Sequence, residues 1–460
     1  MVTIAVNPYL DRNFAPVREE ITTDKLPVIG ELPLDLSGMF VRNGPNPQWK
    51  PIGEYHWFDG DGMLHGVQIS NGVATYRNRY VQTAGWKKER VAGKALWSGL
   101  LEPPKRDNPH GAYKNTANTA LVWHAGQMLA LNEGGKPHAI KLPELDTIGE
   151  YSYNGKLVSA FTAHPKVDPV TGEMIFFGYS FFAPPYLQYS LVSAQGELLW
   201  TVPIDLPMGV MMHDFAITEN YTIFMDLPLT INPERAQRGE PVMMFERDRS
   251  SRFGIVPRHG NNSNIRWFES PSCYVFHTLN AYEEGDEVVL IACRMSSTTV
   301  LISSDLQPDP DADIPRLYRW RFNLSTGTVR EEMLDDVVSE FPRVNENLLG
   351  RQNRYAYTNK ITYTPVALFE GIIKYDFSSG KSQIHQHGQG RYGSEAVFVP
   401  RPGATAEDDG WLMTFVHDEG SDTSELVVVN AQDVTAEPVA RVIIPQRVPY
   451  GFHGTWVAGE

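Results

Sequence analysis

The chain has 460 residues, 42% of them hydrophobic and 21% charged, with a formal charge of −15. That is ample material for a large core. The acidic balance argues against nucleic acid as a partner and against an electrostatic grip on anionic lipid.

Taken in chain order, the opening MVTIAVNPYLDRNFAPV lacks a basic start followed by a long apolar run, so no signal peptide is expected. His56 and His65 flank a WFDGDGM turn, and ISNGVA marks the next hairpin. GKALWSGLLEPPKRD, residues 93–107, breaks the pattern by crowding Leu96, Trp97, Leu100 and Leu101 ahead of two prolines. YSFFAPPYLQYSLV, residues 179–192, breaks it again. Two readings stay open for both: loops over a sheet end, or an apolar patch or tunnel mouth that takes a greasy ligand. The turns DPVTGEM, SAQGEL, EEGDEV, NLSTGTV, DFSSGKS and EDDGW separate short runs rich in Val, Ile, Phe, Tyr and Thr. GEMIFFGYSF, DEVVLIACRM, WLMTFVHDE and SELVVVNA are the clearest strands. Cys273 and Cys293 each lie in an apolar run and read as buried reduced thiols, in keeping with a cytoplasmic protein. There is no long amphipathic helix, no linker and no run of about 18 apolar residues. The expectation is an all-β chain, residues 1–460 forming a single domain, and a β-propeller rather than a sandwich.

Four of the 13 histidines stand apart. His164 in SAFTAHPKVD, His213 in GVMMHDFAIT, His277 in CYVFHTLNAYE and His453 in PYGFHGTW each read as the end of a strand-like run. The others, such as His110, His259, His385 and His387, sit in polar or turn-like surroundings. Four neutral imidazoles buried together would be costly with nothing to coordinate, which points to a metal. The competing reading is strand-end histidines bonded to carbonyls. The spacing matches no zinc finger or zincin.

The stretches NPYLDRNFAPV, GMFVRNGPNP, HWFDGDGMLHG, NTANTALVWHAGQMLALNEGGKPH, FTAHPKVDPVTGEM, MHDFAIT, FHTLNAYEEGDEVV, EFPRVN, GSEAVFVPR and GFHGTW, in that order, resemble the carotenoid cleavage oxygenase family along nearly the whole chain. The resemblance implies a seven-bladed β-propeller with loops and short helices capping an axial Fe(2+). It implies that His164, His213, His277 and His453 are the iron ligands. Three glutamates would anchor ligand rings: Glu133 for His213, Glu340 for His277 and Glu395 for His453. Ligating imidazoles usually need such a partner on the second nitrogen. Thr119, in NTANTAL, matches a threonine whose methyl group restricts an open coordination position; the other reading is an ordinary strand threonine.

The implied activity is cleavage of a conjugated C=C bond by O2 to give two carbonyl products, with no organic cosubstrate. The substrate expected is a carotenoid or apocarotenoid, cut at the 9,10 (9′,10′) bond. An alternative is a stilbene or related vinyl-phenol. That branch carries a lysine just before the Glu133 position, where this chain has Asn132, and Lys136 nearby should point elsewhere. Residues 93–107 fall where family members carry a membrane-dipping patch, so peripheral hydrophobic membrane contact is expected. Two other classes stay open: a non-enzymatic propeller scaffold, and an O2-independent isomerase or hydrolase on the same ligands.

Overall fold

The computed structural model of the chain describes residues 7–103, 105–181, 183–299, 314–364 and 366–459. Residues 1–6, Pro104 in the apolar segment 93–107 and Phe182 in the aromatic one lie outside them. Among the described residues there are seven sheets of four or more strands and one three-stranded sheet. No helix there is long and apolar enough to cross a membrane.

Contacts group the chain into two compact units. The first comprises residues 1–152, 364–372 and 383–460. In it the C-terminal strand Gly454–Ala458 pairs antiparallel with Gly38–Pro45, Phe40 opposite Trp456. The period-2 rule decides which side chains go inside. Val73–Tyr80 alternates between buried and more exposed positions, whereas central strands such as Gly410–Asp418 are buried on both faces. Phe40, Tyr76, Trp411 and Phe415 share one core with valines from neighbouring strands.

A buried cation ties this core to the chain end. Arg42 is 1% exposed, and burial draws its guanidinium down to about 10. It donates to Ser394 Oγ at 3.0 Å and to the Pro449 carbonyl at 2.6 Å. Ser394 precedes Glu395, and Pro449 lies four residues before His453. A Cβ on Gly451 would come within 2.8 Å of Arg42 Cζ, so the guanidinium lies directly against a bare backbone.

The second unit comprises residues 153–363 and 373–382. Its sheets are antiparallel meanders. One runs Lys166–Val167, Met174–Tyr179, Leu187–Val192, Leu198–Ile204. Another runs Tyr274–Glu284, Glu287–Met295, Arg316–Asn323, Val329–Met333. Within the aromatic stretch 179–192, Tyr179 ends one strand and Leu187–Val192 forms the next, with Tyr179 opposite Leu187. Phe177, Tyr189, Phe215 and Phe224 form the centre of its core.

In the first unit, the nine-residue helix Ala84–Ala92 precedes the apolar segment and is the only α-helix among the described residues. Thr83 caps it by accepting the Trp86 N–H, and Gly93 ends it at φ 68°. The segment after it is less exposed than its composition suggests. Trp97 is buried, with its indole N–H on the Gly111 carbonyl. Leu96 and Leu101 are half-buried, and Leu100 is exposed.

Both cysteines are buried and free. Burial pushes the Cys273 thiol up to about 11 and Cys293 well above its ordinary value. Neither should react with a thiol reagent at pH 8 in the native protein, and both should react after denaturation. A native thiol count above zero would contradict this. Gly451→Ala should destabilise the fold by about 1–3 kcal/mol, the usual range for overpacking, measured by urea unfolding.

Candidate metal centre

His277 lies within the strand Tyr274–Glu284, not at its end. The ladder to Glu287–Met295 slips register between Val275 and Thr278 and again before Asn280. A slip of this kind kinks a strand and re-aims a side chain. His277 Nδ1 is 2.7 Å from Glu340 Oε2, and both residues are buried. The carboxylate accepts, so Nδ1 carries the proton and Nε2 carries the lone pair. The Glu340 strand, Ser339–Arg343, has its own register slip. Phe341 there takes φ 53°, a left-handed conformation that costs a bulky residue energy. Its N–H bonds the same Glu340 oxygen, and its ring centroid is 4.9 Å from that of His277.

His164 and His213 precede short strands instead of ending them. His164 comes two residues before Lys166–Val167, and His213 lies between Gly209–Val210 and Ala216–Ile217. The expectation that each histidine ends a strand is therefore corrected: the four histidines fall where ladders are interrupted, which frees their direction from the pleat. His164 donates its backbone N–H to Thr162 Oγ1 at 3.0 Å. Its Nε2 is 2.9 Å from His213 Nε2, which is 3.2 Å from His277 Nε2. The three rings are steeply inclined to one another, at 64° to 75°.

His453 sits just before Gly454–Ala458 and is held at every polar atom of its backbone. Its N–H meets the Thr119 carbonyl at 3.2 Å, and its carbonyl accepts the Asn43 N–H at 3.0 Å. Its Nδ1 is 3.0 Å from Glu395 Oε1, whose other oxygen accepts the Gly454 N–H at 2.8 Å. His164, His213, His277 and His453 each offer one ring nitrogen, and these nitrogens lie within 4.8 Å of one another. It is the one such group of metal-binding side chains among the described residues.

The donor set fits a metal. Nitrogens each about 2.1 Å from one ion and at right angles lie about 3 Å apart, close to the observed 2.9 and 3.2 Å. Imidazole donors suit first-row divalent ions such as iron.

Thr119 is half-buried, and its hydroxyl donates to Asn118 Oδ1 at 3.0 Å. Asn132 is consumed in the same small network. Its amide N–H groups reach Thr116 Oγ1 at 3.0 Å and Asn118 Oδ1 at 3.3 Å, and its oxygen accepts the Gly134 N–H at 3.0 Å. Glu133 is half-buried in the turn after Gln127–Leu131.

Two further side chains escaped the sequence reading. Asp214 follows His213 directly and reaches the segments of two other histidines. Arg42 braces the segments of Glu395 and His453. Asp214 left one trace, an acidic residue inside the apolar run GVMMHDFAI. Arg42 left none. The division of histidines into apolar and polar settings is also corrected: His56, His65, His385 and His387 are all buried.

The family described as retinal pigment epithelial membrane protein matches residues 14–458. The chain belongs to that family. It is thereby a member of the carotenoid cleavage oxygenases. The carotenoid 9,10(9′,10′)-cleavage dioxygenase 1 of Arabidopsis thaliana is 45% identical over 98% of this chain and 90% of its own. The solved lignostilbene dioxygenase of Pseudomonas brassicacearum is similar over 100% of both chains, with 32% identity and a TM-score of 0.92. The cobalt-substituted apocarotenoid oxygenase of Synechocystis covers 96% of this chain and 97% of its own, at 29% identity and a TM-score of 0.85. The fold is a β-propeller.

Glu340→Gln should leave the fold intact and weaken metal binding about tenfold to hundredfold, the usual effect of losing an outer partner of a ligating histidine. Titration of the metal-free protein with Co(II) measures it. Unchanged affinity would remove Glu340 from the centre.

Proposed function

We propose that the protein is a dioxygenase that uses Fe(2+) held by His164, His213, His277 and His453 to cleave a conjugated C=C bond of a carotenoid or apocarotenoid. Both atoms of O2 enter the two carbonyl products, and the bond cut is 9,10 (9′,10′). The observation that carries this reading is the convergence of four imidazole nitrogens, two of the rings with Nδ1 fixed by a buried glutamate. Ferrous iron supplies O2 activation, which no protein side chain provides. The chain's own residues hold, orient and exclude. Glu340 and Glu395 fix two ligand rings, and Glu133 does the same for His213. With its hydroxyl given to Asn118, Thr119 presents its methyl group as the part that limits space beside the metal. No side chain is needed as a general acid or base.

The carotenoid reading rests on the Arabidopsis relative, 45% identical and named for that bond. It rests also on Asn132, whose amide is spent on Thr116, Asn118 and Gly134 and offers a phenol little. The second reading, a stilbene or vinyl-phenol substrate, has one observation in its favour: the lignostilbene dioxygenase shares the fold at a TM-score of 0.92.

The test is to incubate the Fe(II)-loaded protein in air with an apocarotenal, β-carotene and resveratrol, and to identify carbonyl products by mass spectrometry. Aldehydes from the polyenes alone support the main reading and give the bond. Benzaldehydes from resveratrol establish the second. Turnover without O2 would displace both in favour of an isomerase or hydrolase. His277→Ala should lose iron and all detectable cleavage; full iron content and turnover in that variant would overturn the ligand assignment.

A further inference from the structure

Three of the four histidine-bearing segments meet at one carboxylate. Asp214 is 1% exposed. Its Oδ1 is 2.7 Å from Lys166 Nζ and accepts the Phe215 N–H at 2.7 Å. Its Oδ2 accepts the Thr278 N–H at 2.8 Å and lies 2.8 Å from the Thr278 hydroxyl. Those four contacts occupy the roughly four acceptor positions of a carboxylate. Lys166 stands two residues after His164, and Thr278 stands one residue after His277. Asp214 itself follows His213. The ligands lie at interrupted ladders, so sheet pairing alone does not fix their separations. Phe215, 0% exposed in the aromatic core, seats the Asp214 backbone.

We propose that Asp214 is a positioning residue: it sets the mutual spacing of His164, His213 and His277, and thereby the affinity of the centre for its metal. The proposal rests on the four-imidazole reading above. Three of the groups around the Asp214 carboxylate, Lys166 Nζ and the Phe215 and Thr278 N–H groups, can only donate, so each needs an acceptor there; the Thr278 hydroxyl also reaches the Phe215 carbonyl at 3.0 Å. An amide in either orientation would turn an N–H toward at least one of these donors and lose acceptors on that side.

Co(II) binding to the full metal-free chain, read by the visible absorption of the bound ion, tests this beside thermal unfolding of the metal-free protein. Asp214→Asn should lower Co(II) affinity about tenfold to hundredfold, as outer partners of metal ligands do, and shift the Co(II) bands. The control is Asp226→Asn. Asp226 is a fully buried carboxylate joined to Arg249 at 2.7 Å and to Arg252. That variant should lower the unfolding temperature yet keep Co(II) affinity within about twofold of wild type, with unchanged bands. If Asp214→Asn does not fold, Thr278→Val, which removes one hydroxyl and keeps the N–H, decides the matter. Weaker Co(II) binding with shifted bands supports the proposal. Wild-type affinity and bands in the deciding variant, or an equal loss in Asp226→Asn, overturn it. Wild-type protein that binds no Co(II) overturns the four-imidazole reading, and this proposal with it.

Discussion

A neutral imidazole binds a metal only through the nitrogen that lacks the proton. The carboxylate-to-Nδ1 hydrogen bond decides which nitrogen that is, and the centre depends on it. Glu340 does this for His277 and Glu395 for His453, at 2.7 and 3.0 Å. Each carboxylate also takes a backbone N–H, from Phe341 and Gly454 respectively. The second bond holds the glutamate as the glutamate holds the ring. Orientation thus passes from backbone to carboxylate to imidazole, and at His277 it is fixed partly by a backbone conformation that Phe341 adopts at a cost.

A regular sheet sets side chains on two opposite faces, which suits a core and does not suit a cluster of rings inclined at 64° to 75°. Register slips at His277 and Glu340, and irregular backbone at His164, His213 and His453, give the needed directions. Interrupting a ladder leaves backbone groups to satisfy and segments to brace. Buried polar side chains do that bracing: Asp214 with Lys166 and Thr278, and Arg42 with Ser394 and Pro449.

The fold class was legible because hairpin turns recur between β-branched and aromatic runs from end to end, and the sheets observed follow those turns. The four histidines stood apart as a set by their apolar, strand-like settings, and the colinear motifs added the ligand role that the resemblance implies. Composition around them left a carbonyl-bonded alternative open, and it suggested strand ends where the structure has slips and irregular segments. A register slip depends on what the partner strand does, and that is absent from the local pattern. The same holds for Glu340, which lies among acidic residues, and for Arg42, whose partners are 352 and 407 positions away in the chain. Asp214 carried a local sign, a charge in an apolar run, but its meaning required Lys166 and Thr278 to be brought beside it.

Burial by itself does not mark the four converging histidines in this protein. His65, His385 and His417 are as buried as the metal-centre rings. Their Nδ1 atoms meet a Tyr76 hydroxyl, a Val434 carbonyl and a Ser424 hydroxyl. Burial holds His417 down at about 4 and His387 at about 3, so both rings are neutral at pH 7. A hydroxyl or carbonyl partner satisfies a neutral ring at little electrostatic cost and ends its role there. A buried carboxylate is costly unless it faces positive charge or strong donors. Glu340 and Glu395 lie behind imidazoles whose other nitrogens converge, so a divalent cation in front of the rings would offset the two negative charges. The physical mark of the centre is therefore the pairing of buried carboxylates with converging rings, and the structural histidines lack it.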